Sequence, residues 1–228
     1  MNNFKSDQSL QDFQLLIHNV YGVTDDRDYS TWDLCSHVER YSLRAVKGIR
    51  KEQIDKIRLN LLVAMSWAMS FGNRFHIEVD EEVWKHFPYL CTYCGDTPCQ
   101  CKALKSSGRK NVVVNELKRP KTLKECQKMF ELIYPSASRN LVDAGIHLAE
   151  EVGEIVEAVQ IYLGEHKVED MKQISLELAD YFSCIFAVAN SAGIDIADEL
   201  EKMYANGCPI CKHLVCECTF STTTHHLS

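Results

Sequence analysis

No stretch of this chain is long and apolar enough to cross a bilayer. The longest apolar run, Leu61 to Phe71, falls far short of the ~20 residues that a spanning helix needs. The opening "MNNFKSDQSLQDFQLL" has neither the basic start nor the apolar run of a secretory leader, so the sequence predicts a cytoplasmic protein without a membrane partner. Basic residues are in deficit: 25 Lys and Arg stand against 32 Asp and Glu, a formal net charge of -7. Phosphate affinity rests mainly on a basic surface, so a nonspecific nucleic-acid binder is disfavoured, and any phosphate chemistry here needs a cation. Strand signals are nearly missing too, with Val112 to Val114 the one strand-like run.

What the chain does have is a core and cysteine. With 46% hydrophobic residues over 228 positions it can bury a sizeable interior and fold unaided. Its 11 cysteines fall mostly into two clusters, "CTYCGDTPCQC" (Cys91, Cys94, Cys99, Cys101) and "CPICKHLVCEC" (Cys208, Cys211, Cys216, Cys218), of identical spacing at an offset of 117. Four thiols within eleven residues can wrap one tetrahedral zinc, and full thiolate ligation leaves no open position, so the expected role is structural. A redox pair is the rival, weakened because both loops carry the same four-cysteine pattern. Cys35, Cys126 and Cys184 fall on apolar helix positions and read as core.

The likeness extends upstream. "LQDFQLLIHNVYG" from Leu10 aligns with "LKECQKMFELIYP" from Leu123, and "LCSHVERYSLRAV" from Leu34 with "LAEEVGEIVEAV" from Leu148. The offset drifts from 113 to 117, so the chain reads as a tandem repeat: residues 1–101, a basic join over 102–122, residues 123–218, and a disordered tail over 219–228. Lys102, Lys105, Arg109, Lys110, Lys118, Arg119, Lys121 and Lys124, in and beside the join, can attract a triphosphate or a nucleic acid, but a solvated linker is the favoured reading. Periodicity within each unit is helical: short helices at Leu10 to Tyr21 and Leu123 to Tyr134, two long ones, then a short one leading to the cysteines (Asp80 to His86; Ile196 to Ala205). The fold class is all-α. Trp32, Trp67 and Trp84 all lie in the first unit and read as core residues.

Acid is concentrated on the long helices of the second unit. Glu151 and Glu154 are three apart, as are Glu177 and Asp180, so each pair lies on one helix face. An antiparallel hairpin centred near Glu165 and His166 sets Glu151 level with Asp180 and Glu154 level with Glu177. Four carboxylates between two helices repel unless a cation neutralises them, and all-oxygen ligation suits magnesium or manganese. A di-iron bundle wants a Glu-x-x-His step, and neither Glu154 nor Glu177 has a histidine three residues on. An acid-rich solvated face accounts for one such pair. Two pairs in register point to a site. In the first unit the aligned positions hold His37, Arg40, Asn60 and Val63, so that half cannot build the same magnesium site.

"EEVGE" followed by "ELAD", with 22 residues between the four-residue cores, and the trailing "AGIDIADELEKMYANG" resemble the MazG-type all-α NTP pyrophosphohydrolases, a group that includes the dimeric dUTPases. The resemblance covers about 125–207, one unit of the two. It implies Glu151, Glu154, Glu177 and Asp180 as magnesium ligands, Glu150 as the residue that positions or deprotonates the attacking water, and Lys202 and Asn206 as phosphate contacts. It implies cleavage of a nucleoside triphosphate into monophosphate and pyrophosphate, and a homo-oligomer for which the first unit can stand in as partner or as one wall of the base pocket. The alternative function is a nucleotide-binding or protein-interaction scaffold that has lost turnover.

Overall fold

Ser9, Ser30, Thr122, Asn140 and Asp195 each stand just before a helix and accept the backbone N–H three residues on, so five starts are written by side-chain chemistry. Ser9 with Asp12 and Ser30 with Asp33 close reciprocal capping boxes. In the computed structural model, which describes residues 3–104, 108–110, 112–220 and 222, these starts open α1 (Leu10–Asp28), α2 (Thr31–Arg50), α6 (Leu123–Ile133), α7 (Leu141–Glu165) and α9 (Ile196–Met203). Between them lie α3 (Ile54–Arg74), α4 (Val79–His86), the single-turn α5 (Cys101–Leu104) and α8 (Val168–Ala192). The chain is all-α, with no strand among the described residues. Val112–Val114 is irregular, with Val113 on the surface. The first helix runs past its expected end at Tyr21 to Asp28. Lys105, Ser221 and residues 223–228 of the expected tail lie outside the described residues.

Helices α2 and α3 pair as one hairpin and α7 and α8 as another; α2 lies on α7 and α3 on α8, giving a four-helix centre. The approach of α2 to α7 is close at Gly145, where a Cβ would come within 2.7 Å of Ile49 Cδ1. Helix α1 flanks α3, and α6 flanks α8. The short closing helices cross over: α4 packs on α8 of the other half, and α9 touches α3. One continuous core, with Tyr41 and Phe71 from one half and Tyr181, Phe182 and Phe186 from the other, joins them. Each such side chain contributes roughly 1.5–3 kcal/mol on burial, so the shared core binds the two halves together. Cys35, Cys126 and Cys184 are buried in it, as are Trp67 and Trp84. Trp32 is not: it sits in the first turn of α2 and is 45% exposed, against the core reading.

The same hydrogen-bond network occurs in both halves. Gln14 Nε2 donates to Asn73 Oδ1 (3.0 Å) and Ile77 O (2.7 Å), while its Oε1 accepts from Val79 N (3.0 Å). Gln127 Nε2 donates to Asn190 Oδ1 (2.9 Å) and Ile194 O (2.7 Å), and its Oε1 accepts from Ile196 N (3.0 Å). Each glutamine thereby fixes the turn that redirects a long helix into its short closing helix. The cysteine loops also dock reciprocally. Cys99 N donates to Ile133 O at the end of α6 (2.8 Å), and Cys216 N donates to Val20 O on α1 (2.7 Å). Each loop is therefore fastened to the first helix of the opposite half.

Candidate functional site

The α7–α8 turn is made by His166, in the left-handed conformation at φ 54°, and Lys167. Its place at the expected centre sets the register of the carboxylates. Oxygens of Glu151, Glu177 and Asp180 lie within 4.8 Å of one another. Glu154 is exposed on the rim beside Glu177, outside that trio. Gln173, one turn before Glu177, donates to Glu177 Oε1.

Burial, and then neighbouring negative charge, raises the proton affinity of Glu151, Glu154 and Asp180. Burial, then the charges of Asp180, Glu154 and Glu177, push Glu151 up to about 8. Burial also raises Asp180, against the pull of Arg109. Burial and Glu177 raise Glu154. Glu151 Oε2 is buried with no hydrogen-bond partner. A buried acceptor without a donor is costly, and an all-oxygen set with an unused lone pair fits a hard divalent cation.

Above the trio lies the first cysteine loop. Arg109 donates to Asp180 Oδ2 and to Thr92 Oγ1 (3.2 Å), and its guanidinium sits 4.7 Å from the Tyr93 ring centroid. The join is therefore not a solvated spacer throughout. Besides Arg109, Arg119 pairs with Asp80 and Glu81 at 2.6 Å each, and Trp84 Nε1 donates to Glu116 (3.0 Å).

The family model of the MazG nucleotide pyrophosphohydrolase domain matches residues 144–206, which contain the whole acidic cluster. The chain is all-α among its described residues, and its 144–206 segment is MazG-like. Neither a curated protein nor a solved structure matches it. No helix is long and apolar enough to cross a membrane among the described residues.

The other residues expected from the MazG pattern lie less centrally. Glu150 is exposed on α7. Lys202 is exposed on α9, where its ammonium pairs with Glu199 at 2.6 Å, and Asn206 is exposed beyond the same helix. Helix α9 packs on α6 and α3, and its last residue Met203, with Tyr204, lines a cavity shared with Val63 and Trp67 of the first half. The closing helix that packs on the carboxylate-bearing α8 is α4, because the two halves cross. Its His86 is close enough to Asp180 to draw that carboxyl's pKa down.

None of the aligned positions of the first half, His37, Arg40, Asn60 and Val63, carries a carboxylate. His37 is buried, stacks on Trp67 at 4.1 Å, and is held down to about 4 by burial and then by Arg40. Val63 and Trp67 line the apolar cavity of about 90 Å³, with Asp25 and Tyr29.

Both cysteine sets converge. The thiols of Cys91, Cys94, Cys99 and Cys101 lie within 4.8 Å of one another, as do those of Cys208, Cys211, Cys216 and Cys218. Separations of 3.5 Å (Cys91 to Cys101), 4.0 Å (Cys94 to Cys99), 3.6 Å (Cys208 to Cys216) and 3.9 Å (Cys208 to Cys218) bracket the edge of about 3.8 Å that a tetrahedral zinc with ~2.3 Å bonds requires. All eight thiols are free, and each set can hold a metal ion.

Thr92, Tyr93 and Gln173 are the site neighbours that pattern reading passed over, and Arg109 was noted only as one basic residue of the join. Tyr93 and Thr92 were visible between Cys91 and Cys94, and Arg109 among the basic residues of the join. Nothing local in the sequence marks Arg109 as folding onto α8.

Proposed function

We propose that the chain is a magnesium-dependent (or manganese-dependent) nucleoside triphosphate pyrophosphohydrolase that cleaves between the α and β phosphates. The observation that carries this reading is the convergence of Glu151, Glu177 and Asp180 within 4.8 Å, inside the segment matched by the MazG domain, with Glu151 Oε2 unpartnered. In this reading the trio holds the cation, with Glu154 closing the set from the rim. Bound divalent ions offset triphosphate charge and acidify a water. Glu150 orients that water and takes its proton, and Gln173 holds Glu177 in its rotamer. Lys202 and Asn206 are the phosphate contacts implied by the family pattern. Their position on α9 supports that role less well than α4 and the Arg109 segment, which border the carboxylates.

We further infer that residues 1–101 and 123–218 are duplicated units, supported by the matching Gln14 and Gln127 networks and the reciprocal docking of the cysteine loops. The first unit then acts as the partner subunit within one chain, and chains associate further as homo-oligomers. Each four-cysteine loop holds one structural zinc, tying the end of one unit to the first helix of the other.

Product analysis tests the chemistry. Incubated with nucleoside triphosphate and magnesium, the protein should yield monophosphate and pyrophosphate in equal amounts. Diphosphate with orthophosphate as the products would reject α–β cleavage. Tight nucleotide binding without any product would support the scaffold reading.

A further inference from the structure

Arg109 stands where the acidic cluster needs positive charge. Its tip reaches Asp180 Oδ2, yet the residue is anchored elsewhere. The guanidinium lies over Tyr93 at 4.7 Å and donates to Thr92 Oγ1 at 3.2 Å. Next to it, Lys110 N donates to Thr92 O (2.7 Å), and the Lys110 ammonium donates to Cys94 O. The segment is thus clasped to the Cys91–Cys94 turn of the first half, while the end of the Arg109 side chain reaches α8 of the second.

That arrangement has a chemical consequence. A carboxylate lone pair that accepts from a guanidinium is not available to a hard cation, and each partner satisfies the same negative charge. A divalent ion at the trio therefore competes with Arg109 for Asp180. Release from Asp180 does not free the segment, since the Tyr93 stack and the Lys110 bonds remain. It leaves a planar fork of donors at the rim of the cation site, suited to bidentate capture of phosphate oxygens.

We propose that Arg109 has two positions: it neutralises Asp180 in the cation-free site, and it turns to the substrate's phosphate oxygens once a divalent cation takes Asp180. The proposal rests on the hydrolase reading of the carboxylates and deepens it, by giving the first half a residue that guards and completes the site of the second.

The test uses the full chain as wild type, Arg109→Gln, Arg109→Lys and Glu177→Gln, with manganese alone as the first probe and inorganic triphosphate at saturating manganese as the second. Circular dichroism checks that each variant keeps its helicity. Arg109→Gln should bind manganese about tenfold more tightly and triphosphate about tenfold more weakly than wild type, opposite signs that a general loss of structure does not give. Arg109→Lys, which keeps the charge without the fork, should fall between. Manganese affinity unchanged or weaker in Arg109→Gln, with binding still lost in Glu177→Gln, overturns the Arg109 role and leaves the hydrolase reading standing. Unchanged triphosphate affinity in Arg109→Gln overturns the second position. No manganese on any variant removes both the hydrolase reading and this one.

Discussion

Two buried groups in the first half should tilt stability in opposite directions over one pH window. Asp25 is 7% exposed, and burial lifts its carboxyl from 3.8 to about 6. His37 is 5% exposed, and burial followed by Arg40 lowers its imidazole from 6.5 to about 4. For Asp25 the folded state binds the proton more tightly than the unfolded one. Its contribution is full below its unfolded value and is lost as pH rises through about 6. For His37 the folded state binds the proton less tightly. Its contribution is full above its unfolded value and is lost as pH falls towards about 4. At 1.36 kcal/mol per unit, each shift is worth up to about 3 kcal/mol, so the two nearly cancel in the wild type. The assay is urea unfolding of wild type, Asp25→Asn and His37→Phe at intervals from pH 4 to 6.5, the phenylalanine keeping the stack on Trp67. Wild-type stability minus that of Asp25→Asn should fall by up to about 3 kcal/mol as pH rises. The same difference for His37→Phe should grow by a similar amount. Two flat difference curves, or two of the same sign, would refute the reasoning.

Three further outcomes are expected. Gln14→Ala and Gln127→Ala each strand the partners of one turn network, and each should cost about 2–3 kcal/mol by denaturant unfolding; a large asymmetry between them would contradict their equivalence. Elemental analysis of the purified chain should find about two zinc ions, and their absence would remove the staple role of the cysteine loops. Gly207, at φ 76°, faces His213 O, which an added Cβ would meet at 2.5 Å, so Gly207→Ala should lose the zinc of the second loop and keep that of the first; full zinc retention would show that the loop tolerates the strain.

The parts of this architecture that were legible in the sequence are those with a local signature. Acid pairs three residues apart, with a break between them near His166, set the hairpin register that brings Glu151 to Glu177 and Asp180. The cysteine spacing marked both thiol clusters before any contact was known. The crossing of the halves had no such mark. Whether α4 or α9 covers α8 depends on which of two similar helices packs across the core, and their sequences are alike in pattern. Arg109 was hidden for the same reason: its partner lies 71 residues away, and a basic join reads as a solvated spacer until its fold-back is known. Glu154 carries the opposite lesson: it has the same three-residue spacing as the buried Glu177 and Asp180, yet it sits exposed at the rim, which spacing alone does not distinguish.

The central claim is that the carboxylate cluster runs nucleotide hydrolysis through a bound cation. Pyrophosphate release from a panel of ribo-, deoxy- and modified nucleoside triphosphates, measured with and without magnesium on wild type beside Asp180→Asn, tests it most directly. The account predicts magnesium-dependent release from at least one triphosphate, reduced about a hundredfold or more in Asp180→Asn while helicity and zinc content are kept. Release that persists in Asp180→Asn, or none from any triphosphate at any magnesium concentration, would contradict it.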